Sequence, residues 1–222
     1  MTKKTPAGKE TAIASDYSQA EEIANSVTHG LGALLSVAGL TLLVTLAAQQ
    51  SDPWRVVSFS IYGATMILLF LSSALYHSFQ QPRIRRVFKT LDHCSIYLLI
   101  AGSYTPFLLV SMRSALGWVL FGIIWGLALA GVVFKIVLGP RYKKLSVATY
   151  LMMGWLVVFA SKELLSSLAL GGVYWLVAGG LAYTLGVVFY LWKKLPFNHA
   201  VWHLFVLAGG ACHFFAVLFY VL

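Results

Sequence analysis

Seven stretches of about 20 apolar residues, separated by short clusters of charge, constrain this chain more than any other feature it has. A helical run of that length spans the hydrocarbon core of a bilayer, about 30 Å at 1.5 Å per residue. Of the 222 residues, 59% are hydrophobic and 10% charged, where a soluble domain would carry roughly 25% charged. The expected fold is an all-α membrane protein, a seven-transmembrane helix bundle with no room for a separate soluble domain. A net charge of +9 could suggest nucleic acid, but its placement between apolar runs points to membrane topology instead.

Residues 1–25 read as a cytoplasmic N-terminal tail and short helix, ahead of a seven-transmembrane domain over 26–222. The tail, basic through Lys3, Lys4 and Lys9, is expected to be disordered to about residue 16. It lacks the pattern of a cleaved signal peptide, so the first span is expected to direct insertion. Ser18 and Glu21 have capping-box spacing. The spans are expected at about 27–48, 56–77, 91–110, 116–138, 145–159 (toward 165 if Lys162 snorkels), 173–192 and 199–222. Gln80–Lys89, with Arg83, Arg85, Arg86 and Lys89 around Pro82, reads as a loop. Lys135, Arg141, Lys143 and Lys144 form a second basic cluster around Gly139-Pro140.

Thirteen basic residues collect on one side of this arrangement, against Arg55, Arg113 and Lys162 on the other. The positive-inside rule makes the first side cytoplasmic, with the N-terminus inside and the C-terminus periplasmic or extracellular. Trp54, Trp118 and Trp175 would mark the outer interface, and Trp192 and Trp202 the inner one. Cys94 and Cys212 are isolated thiols and imply no disulfide framework. Gly122-x-x-x-Gly126 has the spacing of close helix packing in the bundle. The seventh span contains no lysine, which excludes a retinal Schiff base there.

Ionisable side chains in spans are costly and mark sites. His199 and His203 lie one turn apart, about 40° around a helix, so both imidazoles can reach one point. His77 closes the second span on the same side, with Ser73 one turn deeper, and Asp92 opens the third. Three imidazoles and a nearby carboxylate suit a zinc ion with one position left for water. Taken alone, Asp92 could be no more than a charge favoured by a helix N-terminus. His29 and His93 read as supporting or structural. His213, about 15 Å deeper than His203, is too far to share a metal and is expected to make a helix–helix hydrogen bond.

Glu22-x-x-Asn25-x-x-Thr28-His29-x-x-Gly32, Ser73-x-x-x-His77, Asp92 and His199-x-x-x-His203 occur in this order. Together they resemble the progestin and adipoQ receptor family, specifically its bacterial branch, the hemolysin III proteins, and the resemblance covers essentially the whole chain. It implies zinc near the cytoplasmic face of a bacterial inner-membrane protein. His77, His199 and His203 match the zinc ligands, Asp92 the carboxylate holding the zinc's water, and Ser73 the serine above it. Some eukaryotic relatives are hormone or adiponectin receptors, and some have ceramidase activity. The resemblance does not extend to the long N-terminal region of those receptors, so hormone recognition is not expected to carry over.

The leading expectation is a zinc-dependent lipid amide or ester hydrolase acting on membrane lipids. Asp92 would be the general base and Ser73 a donor to the oxyanion. The glutamate that soluble zinc proteases place between paired histidines is here Ala200, so general-base chemistry rests on Asp92. A non-catalytic sensor of membrane state with structural zinc is the second expectation. A pore-forming cytolysin is the third, and the scarcity of charge deep in the spans counts against it.

Overall fold

The computed structural model describes residues 17–222, so the basic tail with Lys3, Lys4 and Lys9 lies outside the described residues. Seven spans run over Gln19–Gln49, Pro53–Ser78, Pro82–Ser111, Ala115–Leu138, Lys143–Ser167, Leu170–Leu191 and Asn198–Tyr220. In hydrocarbon every backbone amide must be hydrogen-bonded within the protein, and a helix does this within its own segment. We label the helices α1 (Gln19–Gln49), α2 (Pro53–Ser78), α3 (Pro82–Pro106), α4 (Ala115–Leu138), α5 (Lys143–Gly154), α6 (Ser161–Ser167), α7 (Leu170–Leu191) and α8 (Asn198–Tyr220). A π turn, Phe107–Ser111, extends α3 past Pro106, and a 3-10 turn, Leu156–Ala160, joins α5 to α6. Successive helices pack side by side through α1–α4, α7 packs on α8, and α8 returns to α1.

The first helix shows how the bundle is sided. Its buried residues are Glu22, Asn25, His29, Gly32, Ala33, Ser36, Gly39, Leu43 and Ala47, a stripe at helical spacing that is polar or small for most of its length. The opposite face carries Val27, Leu34 and Leu35, with Leu34 71% exposed. Amphipathicity of this inverted sense belongs to a helix whose outer solvent is lipid. The capping box forms: the Ser18 hydroxyl accepts from the Glu21 amide, and the Ser18 amide donates to the Glu21 carboxylate at 2.9 Å.

Two boundaries differ from expectation. Gln80–Lys89 is no loop, because Pro82 sits at the first position of α3, where its fixed φ and missing amide proton suit a helix start. The basic residues 83–89 therefore ride on the first two turns of α3. Asp92 consequently lies ten residues inside the helix, beyond the first turn where the dipole acts, which removes the helix-end explanation of its charge. The fifth span is not one continuous helix but breaks at Gly154–Trp155.

Close packing also falls elsewhere than expected. A Cβ at Gly122 or Gly126 would meet nothing within 4 Å, so this pair packs no helix of the bundle. The α7–α8 contact instead uses Gly172, Gly179 and Gly186, seven residues apart on one seam of α7. A Cβ at Gly179 would lie 2.5 Å from the His213 ring and 3.2 Å from the Gly209 carbonyl oxygen. Gly179→Leu is therefore expected to lower stability by about 1–3 kcal/mol, read as a drop in Tm in detergent. Gly122→Leu should leave Tm unchanged or slightly raised, since leucine is the better helix former.

Candidate metal centre

The ends of α1, α2 and α8 meet at the end of the bundle where α3 begins. His77 in the last turn of α2 and His199 and His203 in the first turns of α8 are all buried. Each offers a ring nitrogen that lies within 4.8 Å of those of the other two. The turn into α8 is built to place this pair. Phe197 caps the helix in the left-handed region at φ 55°, a conformation costly for a residue with a Cβ. Its amide donates to the Glu21 carboxylate at 3.0 Å, and the Asn198 side chain donates to the Phe189 carbonyl at 3.0 Å. The start of α8 is thus tied to both α1 and α7.

Two of the three imidazoles are oriented by residues of α1. The Nδ1–H of His77 donates to the Glu22 carboxylate at 2.6 Å, and the other oxygen of Glu22 accepts from Arg85 on α3. His203 Nδ1 lies 3.1 Å from both the Asn25 carbonyl and the Thr28 hydroxyl. With Nδ1 protonated in both rings, Nε2 is left as the basic atom, and for His77 this Nε2 is buried without a hydrogen-bond partner among the described residues. His199 Nδ1 is in the same condition. Three convergent imidazoles, two of them with a buried nitrogen that has no hydrogen-bond partner among the described residues, make a donor set that could hold a transition-metal ion. Leaving them unmatched would cost about 1–3 kcal/mol for each buried polar atom.

Asp92 does not join the three convergent nitrogens. It is half-buried on the wall of a cavity of about 220 Å³ that Ser73, His199 and His203 also line. The Ser73 hydroxyl is buried and has no hydrogen-bond partner among the described residues. Beyond this polar corner the cavity runs along apolar side chains including Leu69, Ile96, Ile100, Ile124 and Leu176. The five residues singled out in the sequence thus gather at one end of the bundle, with His77 behind the cavity wall.

From the sequence, Glu22, Asn25 and Thr28 of α1 have no expected role beyond the family motif. Glu22, Asn25 and Thr28 recur every three residues on the buried face of a lipid-embedded helix, and that spacing was the available signal. His29 is closer to the site than its supporting role implied. Its ring stacks on that of His203 at 3.4 Å between centroids and 7° between planes, and it lines the cavity. Tyr17 stacks on His199 at 5.0 Å, covering the cluster from the side of the chain start. His93 is structural on one side, its Nδ1–H donating to the Lys89 carbonyl at 2.6 Å, while its ring also reaches the cavity. His213 stands apart, edge-on to Tyr183 and against Gly179 of α7.

A profile described as Haemolysin-III related matches residues 17–214. The chain is 52% identical over 202 residues to Hemolysin-3 of Bacillus cereus, covering 91% of this chain and 92% of that one. It is 50% identical over 200 residues to the Hemolysin-3 homolog of Bacillus subtilis (strain 168), covering 90% and 94%. Against the Monocyte to macrophage differentiation factor of Homo sapiens the identity is 32% over 203 residues, covering 89% and 83%.

Proposed function

The chain belongs to the Haemolysin-III related family, and from that premise we propose that it is a zinc-dependent hydrolase of lipid amides or esters, serving membrane-lipid homeostasis in a bacterial inner membrane. The observation that carries this reading is the polar corner of Ser73, Asp92, His199 and His203 at one end of an apolar cavity. A long acyl chain fits the apolar walls, and its head would lie among groups able to move protons. His77, His199 and His203 would hold the zinc. When bound, zinc supplies a Lewis acid for the scissile carbonyl and lowers the pKa of a coordinated water toward about 7.

The chain's own residues would do the remainder. Asp92 accepts the proton of the attacking water at a carboxylate oxygen and returns it to the leaving group. The Ser73 hydroxyl, which has no other acceptor among the described residues, donates to the carbonyl oxygen as charge develops there. Glu22 and the Asn25 carbonyl hold the ligand imidazoles in place. The cavity walls exclude bulk water from the reacting end. By charge asymmetry this end faces the cytoplasm, with the N-terminus inside and the C-terminus outside, so lipid would arrive from the inner leaflet.

A structural zinc in a membrane-state sensor would have its fourth position closed by protein. The separation of Asp92 from the three nitrogens favours the open, catalytic arrangement. The name Hemolysin-3 of the Bacillus cereus relative adds erythrocyte lysis as an outcome to measure. The test is to purify the protein, assay zinc, and follow hydrolysis of a panel of ceramides and phospholipids, with an erythrocyte leakage arm. Turnover by zinc-loaded protein, lost in Asp92→Asn, is expected. Leakage with no turnover across the panel would replace the hydrolase with a lytic protein.

A further inference from the structure

Lys135 is a buried charged residue of this bundle that the chemistry above does not use. It sits in the last turn of α4, where a lysine ordinarily snorkels its ammonium to the interface and complements the helix dipole. Lys143, Lys144 and Lys194 are all exposed. Lys135 is instead 5% exposed and lines the cavity that Asp92, Ser73 and the two α8 histidines line. Among the described residues it makes no ion pair within 4.0 Å and no hydrogen bond. The charged residues on the cavity wall are Asp92, Lys135 and Lys143, the last standing exposed at the start of α5. With Asp92 as the base, the cavity is left with an excess of positive charge. Asp92 stands on the same wall but beyond ion-pair distance, and a buried ammonium with no carboxylate within 4.0 Å is costly unless an anion completes it.

We propose that Lys135, with Lys143, binds an anionic group of the lipid whose acyl chain occupies the apolar run of the cavity. The shared chemistry is a phosphate ester or a carboxylate, which a lysine meets as a point charge. This makes Lys135 a specificity-determining residue that selects anionic lipids over neutral ones such as ceramides. It deepens the hydrolase reading by naming its substrate class, and rests on that reading only in treating the bound lipid as a substrate.

The test reads binding and not turnover, so the two readings fail separately. Full-length protein in an uncharged detergent is titrated with four palmitoyl probes, and dissociation constants are taken by native mass spectrometry. The probes are lysophosphatidylglycerol, palmitate, lysophosphatidylcholine and monopalmitoylglycerol. Wild type is expected to prefer at least one of the two anionic probes over monopalmitoylglycerol by about ten-fold, as one charge-assisted contact supplies. Preference for the lysophosphatidylglycerol arm identifies phosphate, and preference for palmitate identifies carboxylate. Lys135→Met should abolish the preference while leaving monopalmitoylglycerol affinity unchanged, Lys135→Arg should keep it, and exposed Lys194→Met should not alter it. Equal affinities in wild type overturn the proposal even if Lys135→Met fails to fold, and so does a preference that survives Lys135→Met. Absence of lipid hydrolysis alongside a Lys135-dependent preference would sink the hydrolase and leave the anion site standing.

Discussion

Asp92→Asn is expected to cut lipid turnover by about 10²–10⁴-fold, the usual contribution of a positioned general base, while bound zinc stays at the wild-type level. Asparagine keeps the size and hydrogen-bonding outline of the side chain but has no basic oxygen to take the proton. The retention of zinc follows from the geometry, because among the described residues the convergent ligand atoms come from His77, His199 and His203 and not from Asp92. Turnover and metal content therefore separate in this variant, whereas His203→Ala should lose both. If Asp92→Asn also loses its zinc, Asp92 is a ligand, and the fourth position is closed in the way a structural site requires. Wild-type turnover in Asp92→Asn would move the base to another group on the cavity wall.

The second large effect belongs to Glu22, which touches no substrate. Glu22 is 4% exposed, and its carboxylate joins α1 to α2 through His77 and to α3 through Arg85. Glu22→Ala removes the acceptor that fixes the His77 ring and one partner of a buried charge pair. Disrupting such a pair costs about 3–5 kcal/mol, and loss of a group orienting a metal ligand about 10–100-fold in metal affinity. Both losses are expected, the first as lowered Tm in metal-free protein, the second by competition against a zinc chelator. Glu22→Gln keeps an oxygen to accept from His77 and so should retain more metal affinity than Glu22→Ala. Equal zinc affinity in Glu22→Ala and wild type would show that the His77 ring is held by its packing alone.

The span count was legible because it depends only on run length and charge, and hydrocarbon thickness sets both. So was the gathering of Ser73, His77, Asp92, His199 and His203, since each lies in the same half of its span and depth follows from position along the helix. Direction around the helix axis was not legible in the same way. Whether Glu22 faces His77, or Lys135 turns inward instead of snorkelling, depends on the rotation of one helix against its neighbours. Packing fixes that rotation, and a single sequence carries it only weakly. Charge density misled at residues 83–89, where basic side chains read as a loop although Pro82 begins a helix. Gly122 and Gly126 misled for a related reason: a small-residue spacing names a groove without saying whether another helix fills it.

The claim beneath all of this is that His77, His199 and His203 jointly hold one metal ion and that the metal is zinc. X-ray absorption at the zinc edge, on protein purified without added metal or chelator, tests it most directly. The account predicts about one zinc per chain, four-coordinate, with three imidazole nitrogens and one lighter oxygen ligand. Zinc absent from the preparation, or present in a coordination shell that does not change when His77, His199 and His203 are all replaced by alanine, would contradict it.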